Sequence, residues 1–419
     1  MRKSLVLLSA SLLCLAPGAS RAVNVPLPIK DAKMNVTVTV QTQALINENG
    51  SPDGSSPSYD IYARRTRLQV SGEIANTWAY YFQVDNGNFG KYGNFTSRMI
   101  VQDAFATWAP TGLTGGSVLM VEGGLMFYPA SRLILTPISN QLMVEGHPDM
   151  LRGFTSAVYP ANRSTGVQVR GWLLNKKVGY RGGIYEGVQP FASAGPPPVN
   201  PLRNPALALF TNWDLIGSEE GGYLYNAVRW QKDPVLSFSV AGSYQSNALR
   251  VTKGLTDQKS LTGTVYLNYP LSEQQELIAL VGAFLYGNGT GSRDTGTGFS
   301  GDLSFRAGWI RPYIGYEWYT SADCPTDGSA TPAQCAGANG VHTGDSRNTR
   351  MGLDFYINKN QNHVMLEFAL NRGQSTWGPQ AITAANAGYV PYIPAGQQSA
   401  QSLGRTAQKS LLLHWSAYF

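Results

Sequence analysis

The sequence predicts an all-β transmembrane barrel: about sixteen antiparallel strands, with one long loop folded into the interior. Three observations carry this. Segments of mostly ten to twelve residues alternate apolar and polar side chains, the period of a strand with two unlike faces. The connections between them alternate short and long along the whole chain, as they do when hairpin turns gather at one barrel rim and loops at the other. The composition, with 46 Gly, 22 Tyr and only 14% charged residues, fits many turns and aromatic girdles better than a soluble enzyme, where about 25% of residues are charged.

In chain order, Met1 to Ala22 reads as a secretory signal. Arg2 and Lys3 start it, Leu5 to Ala16 forms its apolar core, and Ser20-Arg21-Ala22 offers a cleavage site. The run is too short for a spanning anchor, and Pro17-Gly18 interrupts it. Residues 23–419 then form one barrel domain. Strands are expected near 36–46, 60–74, 77–86, 99–109, 117–127, 164–174, 178–187, 221–231, 235–245, 259–269, 276–286, 299–309, 312–320, 347–357, 362–371 and 407–419. Ala75-Asn76, Lys232-Asp233-Pro234, Arg311-Pro312 and 358–361 are expected as short turns. Long loops are expected near 47–59, 87–98, 128–163, 188–220, 246–258, 287–298, 321–346 and 372–406.

Several strands sort cleanly. Leu236, Phe238, Val240 and Tyr244 oppose Ser237, Ser239, Ser243 and Gln245; Leu261, Val265, Leu267 and Tyr269 oppose Thr262, Thr264, Tyr266 and Asn268. In a membrane barrel the first sets meet lipid and the second the lumen. The segments 99–109 and 221–231 do not sort, and 276–286 is apolar on both faces; bulges or subunit contacts are the two explanations open. The stretch Tyr128 to Arg163 holds Leu133, Ile134, Leu135, Ile138, Leu142, Met143 and Val144, too apolar for a solvated flap, and is expected to fold inward and narrow the lumen. An outer loop with a few buried anchors is the alternative.

After the signal, 29 basic and 26 acidic residues remain with no basic run, so no nucleic-acid partner is expected. The four histidines, His147, His342, His363 and His414, stand in no metal or nucleophile spacing. No enzyme, metal or cofactor is expected. Cys324 and Cys335 lie eleven positions apart in one loop of an exported chain, the setting of a local disulfide; free thiols are the alternative. The chain ends in an apolar alternating strand and a terminal Phe419, which resembles the assembly signal that bacterial outer-membrane proteins present to their insertion machinery.

Tyr59 to Asp85, with Arg64-Arg65, Gly72, Trp78-Ala79-Tyr80 and Asp85, resembles the second and third strands of the phosphate-selective porin family (porins O and P) of Gram-negative outer membranes. The run Arg163 to Gly171 and the entry Gly123 to Thr136 resemble the same family. The N-terminal half and the last strand match best, the middle strands only in rhythm. The resemblance implies a sixteen-stranded trimer in the cell outer membrane, in contact with its lipid, with the third long loop folded inward and arginines lining an anion path. One departure stands out. Phosphate-selective members carry lysines at the constriction, whereas Tyr128–Arg163 has none and instead holds Arg132, Arg152 and Arg163 beside Glu145, His147 and Asp149.

The expected function is passive diffusion of small hydrophilic solutes and ions, with a modest preference for anions, phosphate among them. A structural or adhesin-type barrel with a plugged lumen is the alternative. By alternation Arg65, Arg67, Arg170, Arg306 and Arg350 face the lumen, together with Asp85, Glu317, Asp354 and Glu367. Guanidinium forks suit phosphate or carboxylate oxygens, but the same residues could instead brace the wall as ion pairs. Arg64 falls on the lipid side of the pattern and needs a bulge or a subunit contact. With Arg132 and Arg152 from the loop, these residues form the expected pore lining.

One outcome is open to direct test. A Cys324–Cys335 bridge closing about a dozen residues contributes on the order of 3 kcal/mol. The mature oxidised protein should therefore take up no thiol reagent until it is reduced; labelling of both cysteines without reduction would exclude the bridge.

Overall fold

The structure, a computed structural model, describes residues 23–28, 31–48, 56–93, 95, 97, 99–113, 117–137, 140–144, 162–187, 202–219, 223–251, 254–288, 295–321, 346–373 and 407–419. The expected signal Met1–Ala22, Arg152 and the Cys324–Cys335 pair lie outside the described residues.

Sixteen strands close into one antiparallel barrel among the described residues. They follow a three-residue β1 (Val23–Val25): β2 (Ala32–Asn47), β3 (Ser58–Ile74), β4 (Trp78–Phe89), β5 (Met99–Trp108), β6 (Met120–Phe127), β7 (Arg163–Leu173), β8 (Val178–Tyr185), β9 (Ala206–Ile216), β10 (Val235–Val251), β11 (Gly254–Ser272), β12 (Gln275–Gly287), β13 (Gly296–Ala307), β14 (Ile310–Ser321), β15 (Ser346–Asn358), β16 (Asn362–Gly373) and β17 (Ala407–Tyr418). Each strand from β2 to β16 pairs with the next, and β17 returns to β2. At that seam Phe419 exchanges backbone hydrogen bonds with Val38, at 3.0 and 2.8 Å. β1 continues the same edge of β2 on Met34, Asn35 and Val36. Closure matters because an open edge in lipid would leave N–H and C=O groups unpaired, each costing several kcal/mol.

The two faces of the wall sort by solvent. Leu207, Leu209, Phe238, Leu261, Val265, Leu285 and Leu303 are exposed on the outside, where hydrocarbon meets them. Gln41, Gln83, Asp85, Gln168, Asn212, Ser239, Asn268 and Glu276 are buried inside. Near the short-turn rim Trp78 and Trp108 approach at 6.4 Å and Trp309 stacks on Phe355 at 5.8 Å. Such amphipathic rings belong at a headgroup level. Strand lengths are uneven: β6 and β8 have eight residues, β10 has 17 and β11 has 19.

The structure resolves the three segments that do not sort. In β5 the pairing with β4 slips between Gln83 and Val84. Gln102 is the extra residue, so Met99 and Val101 face out on one side of it while Asp103, Phe105 and Thr107 face in on the other. The apolar inner face of β12 (Ile278, Leu280, Phe284, Tyr286) is covered by material inside the barrel. Within the expected strand 221–231, the described residues 223–231 form no strand. The strand is β9, inside what the sequence pattern assigns to the loop 188–220. Two further expectations are corrected. Arg311 is not a turn residue but lies in β14, after a turn at Gly308-Trp309. Most of the expected loop 246–258 is the continuation of β10 and β11 as a long hairpin.

A repeated detail fixes neighbouring strands. Tyr80 lies opposite Gly72 and its hydroxyl donates to the Lys33 carbonyl at 3.3 Å; Tyr180 lies opposite Gly171 and donates to the Val118 carbonyl at 2.7 Å. A Cβ on Gly72 would land on the Lys33 carbonyl, and one on Gly171 on the Val118 carbonyl. Ala at either glycine should therefore cost about 1–3 kcal/mol by overpacking, read as a lower urea midpoint for the barrel refolded in lipid vesicles. An unchanged midpoint would show that the neighbouring backbone at Lys33 and Val118 gives way without cost.

Candidate functional site

Among the described residues, two inserted segments enter the barrel interior, one from each rim. The first is the third long loop. It leaves β6 at Phe127 and makes a tight turn over Ser131–Thr136, where Ser131 Oγ accepts from the Ile134 N–H at 3.1 Å. Its apolar residues Leu133, Ile134, Leu135 and Leu142 are buried against Tyr266, Ile278, Phe284 and Tyr286 of the wall. It then crosses the lumen: Met143 and Val144 pack among Leu45, Tyr62, Tyr313, Met365 and Leu412 on the far side. Two polar contacts pin this end. Arg311 Nη1 donates to the Leu142 carbonyl at 3.0 Å, and Glu367 accepts from the Val144 N–H at 3.0 Å. The inward course expected from the apolar run is thus present over its described parts.

The second insertion, described over residues 217–219 and 223–234, joins β9 to β10 at the short-turn rim, where the sequence pattern expects a strand and a short turn. It departs at Gly217, whose φ of +65° suits glycine. Asp214 accepts from the Glu219 N–H at 2.7 Å. Its backbone meets the loop twice: the Tyr225 N–H donates to Leu135 O at 2.9 Å and the Ala227 N–H to Asn140 O at 3.0 Å. The Tyr223 hydroxyl accepts from the Phe127 N–H at 2.9 Å. Trp230 seals the far end under Arg306, 4.1 Å from its ring centre, with its indole N–H donating to Asn360 at 3.0 Å.

Arg132 joins the two insertions. Its guanidinium forks onto both oxygens of Glu219, with Nη1 at 2.6 Å from Oε1. The rings of Tyr225 and Tyr266 lie on it at 4.6 and 4.3 Å. Burial pushes the Tyr225 phenol up to about 12, so that ring stays neutral and its face attracts the cation. Ser237 and Arg229 complete the donors around Glu219.

The other expected lining residues stand on the wall. Arg65 is buried and donates to Gln41 at 2.9 Å. Arg67 faces the interior beside Asp85, at 3.1 Å. Arg64 is the extra residue of a bulge, since Gln41 pairs with Arg65 but Thr42 with Ala63; half-buried, it donates to Asn88 at 3.1 Å. That bulge keeps Tyr59 and Ile61 facing out while Tyr62 turns in. Arg170 reaches Glu122 at 2.6 Å, a carboxylate also bonded to Thr107 and Gln168. Arg306 reaches Glu276 at 2.8 Å. Arg350 is buried on β15, where its alternation partner Asp354 binds Arg311 at 2.9 Å and His363 at 2.8 Å. Arg67, Arg170 and Arg306 are therefore paired with acids, as wall braces are, while Arg67, Gln69 and Ser71 are half-buried among the described residues.

Sequence pattern missed Arg181, Arg311, Glu122 and Glu219. Alternation along 178–187 places Arg181 inward; it donates to the Tyr223 carbonyl and lies 5.2 Å from that ring. Arg311 carries its loop contact because Pro312 does not end the strand. Removing Asp354 would leave Arg311 buried without its carboxylate, a loss of about 3–5 kcal/mol. Asp354→Ala should lower the thermal midpoint of the barrel in detergent and open the 142–144 region to protease; an unchanged midpoint with unchanged proteolysis would show that the loop does not depend on this pair.

No known family profile matches the chain, and no curated protein is similar to it in sequence. Solved structures are similar in fold. The anion-selective porin from Comamonas acidovorans aligns with a TM-score of 0.55 at 13% identity, over 93% of this chain and 100% of that one. OmpF of Salmonella typhi, in complex with daunomycin, gives 0.55 at 10% identity, over 94% and 100%. The trimer form of OmpT, an outer-membrane protein of Vibrio cholerae, gives 0.50 at 10% identity, over 93% and 99%. The chain thus has the fold of outer-membrane β-barrels.

Proposed function

We propose that the protein is an outer-membrane porin, a passive channel for small hydrophilic solutes with a modest preference for anions. The observation that carries this is a closed sixteen-stranded wall, apolar outside and lined inside by ionised and amide side chains, crossed by an inward loop. A barrel of that strand number leaves room for an aqueous channel, and its lining and field set what passes. The similar fold of an anion-selective porin supports the sign of the preference. So do Arg65 and Arg67, stacked two residues apart on the inner face of β3, where screening is weaker than on an open surface. The absence of lysine from Tyr128–Arg163 favours general anion passage over tight phosphate capture, so membership of the phosphate-selective family remains part of the proposal and not its premise. A homotrimer, embedded in outer-membrane lipid and inserted through the signal that ends at Phe419, completes the reading.

A second reading, a structural or adhesin-type barrel with a plugged lumen, is favoured by the insertion 217–234. Conductance of the purified protein in planar bilayers separates the two. Under the channel reading, Arg65→Ala with Arg67→Ala leaves Asp85 without its guanidinium, so reversal potentials should shift toward cations, and raised salt should blunt the wild-type preference. Native cation preference, or a double variant with unchanged selectivity, would make these arginines wall braces.

A further inference from the structure

The insertion 217–234 places a carboxylate where a pore would meet an anion. Glu219 sits in a forked guanidinium, walled by two tyrosine faces and met by the Ser237 hydroxyl and Arg229. This is the donor set that recognises a carboxylate or phosphate group, and the chain fills it with its own side chain. The neighbouring Tyr223 covers two more guanidiniums: its carbonyl accepts from Arg181, and its ring lies 5.6 Å from Arg170.

The segment is separable from the wall. None of its described residues, 217–219 and 223–234, belongs to the strand ladder, and β9 pairs with β10 from Ile216–Leu236 to Ala206–Gln245 without them. The wall charges beside it keep their partners when it leaves: Arg170 with Glu122, Arg163 with Asp103 and Arg306 with Glu276. Arg132 and Arg181 each lose a hydrogen-bond partner and Asp214 loses the Glu219 N–H; in water both arginines stay charged. Its neck is narrow, because a Cβ on Gly217 would land on the Pro234 carbonyl.

We propose that the described parts of this insertion, residues 217–219 and 223–234, form an autoinhibitory plug. Glu219 stands in for a passing oxyanion on Arg132, and release of the plug toward the short-turn rim exposes Arg132, Arg170 and Arg181 as an oxyanion-binding cluster. The proposal rests on the channel reading above. The tether keeps Glu219 at a high effective concentration, so the docked state dominates and the wide state is brief.

Single-channel recording tests this in two ways. Glu219→Gln removes the charge of the latch, and should give longer wide openings, a several-fold larger mean conductance and a stronger anion preference. Asn140→Cys with Asn226→Cys, at side chains bonded at 2.5 Å between loop and plug, in a Cys324→Ser, Cys335→Ser background, should hold the channel narrow when oxidised and restore wide openings on reduction. Inorganic phosphate, added to Glu219→Gln, should reduce its chloride current more than that of the wild type. Conductance that neither the Glu219 change nor the cysteine lock alters would overturn the plug and leave the channel reading intact. Silence of every form, Glu219→Gln included, would overturn both.

Discussion

Closure of the backbone ladder is the constraint on which the rest of this molecule depends. A strand edge in hydrocarbon has no water to pair with, so the last strand must find the first across the whole chain. β17 does so through nine register pairs with β2, and Phe419 adds its own amide and carbonyl to Val38. The terminal aromatic residue is therefore part of the seam. Once the ladder is closed, the alternation of side chains acquires a fixed meaning, outward to lipid and inward to polar surroundings. The charged interior can then be built without any of its ions facing the bilayer.

Closure also forces local departures. The slips at Arg64 and Gln102 each insert one residue, and each changes which parity faces inward. Without the first, Ile61 would point into the lumen and Tyr62 into lipid. Tyr62 instead donates to Gln43 inside the wall at 2.6 Å. The same slip removes Arg64 from the face that its position in the alternation assigns to it, and so accounts for an arginine doublet in a membrane strand.

The strands were legible because two solvents select two sets of side chains, and the pattern survives without any knowledge of partners. The inward loop was legible for a related reason: Leu133, Ile134 and Leu135 in succession have nowhere to go but a covered interior. β9 has as clean an alternation as any strand, with Leu207, Leu209, Trp213 and Leu215 outside and Ala208, Phe210, Asn212 and Asp214 inside. It was hidden by the Pro-rich run before it and by the strand-like spacing of Tyr223, Tyr225 and Ala227. Those residues alternate because they pack between a loop and a wall, a packing that periodicity cannot tell from a ladder. Pairings such as Arg132 with Glu219 bridge 87 positions, and no local pattern carries them.

The uneven strand lengths have a consequence for the surrounding bilayer. Eight residues of tilted strand, as in β6 and β8, raise the wall by roughly 20 Å, less than the apolar band of roughly 25 Å that spanning barrels present. The wall at β10 and β11 stands about twice as high. The added height of that hairpin carries Asp257 and Lys259 outward, so it stands clear of the hydrocarbon, and the bilayer adapts chiefly at the low flank by thinning there.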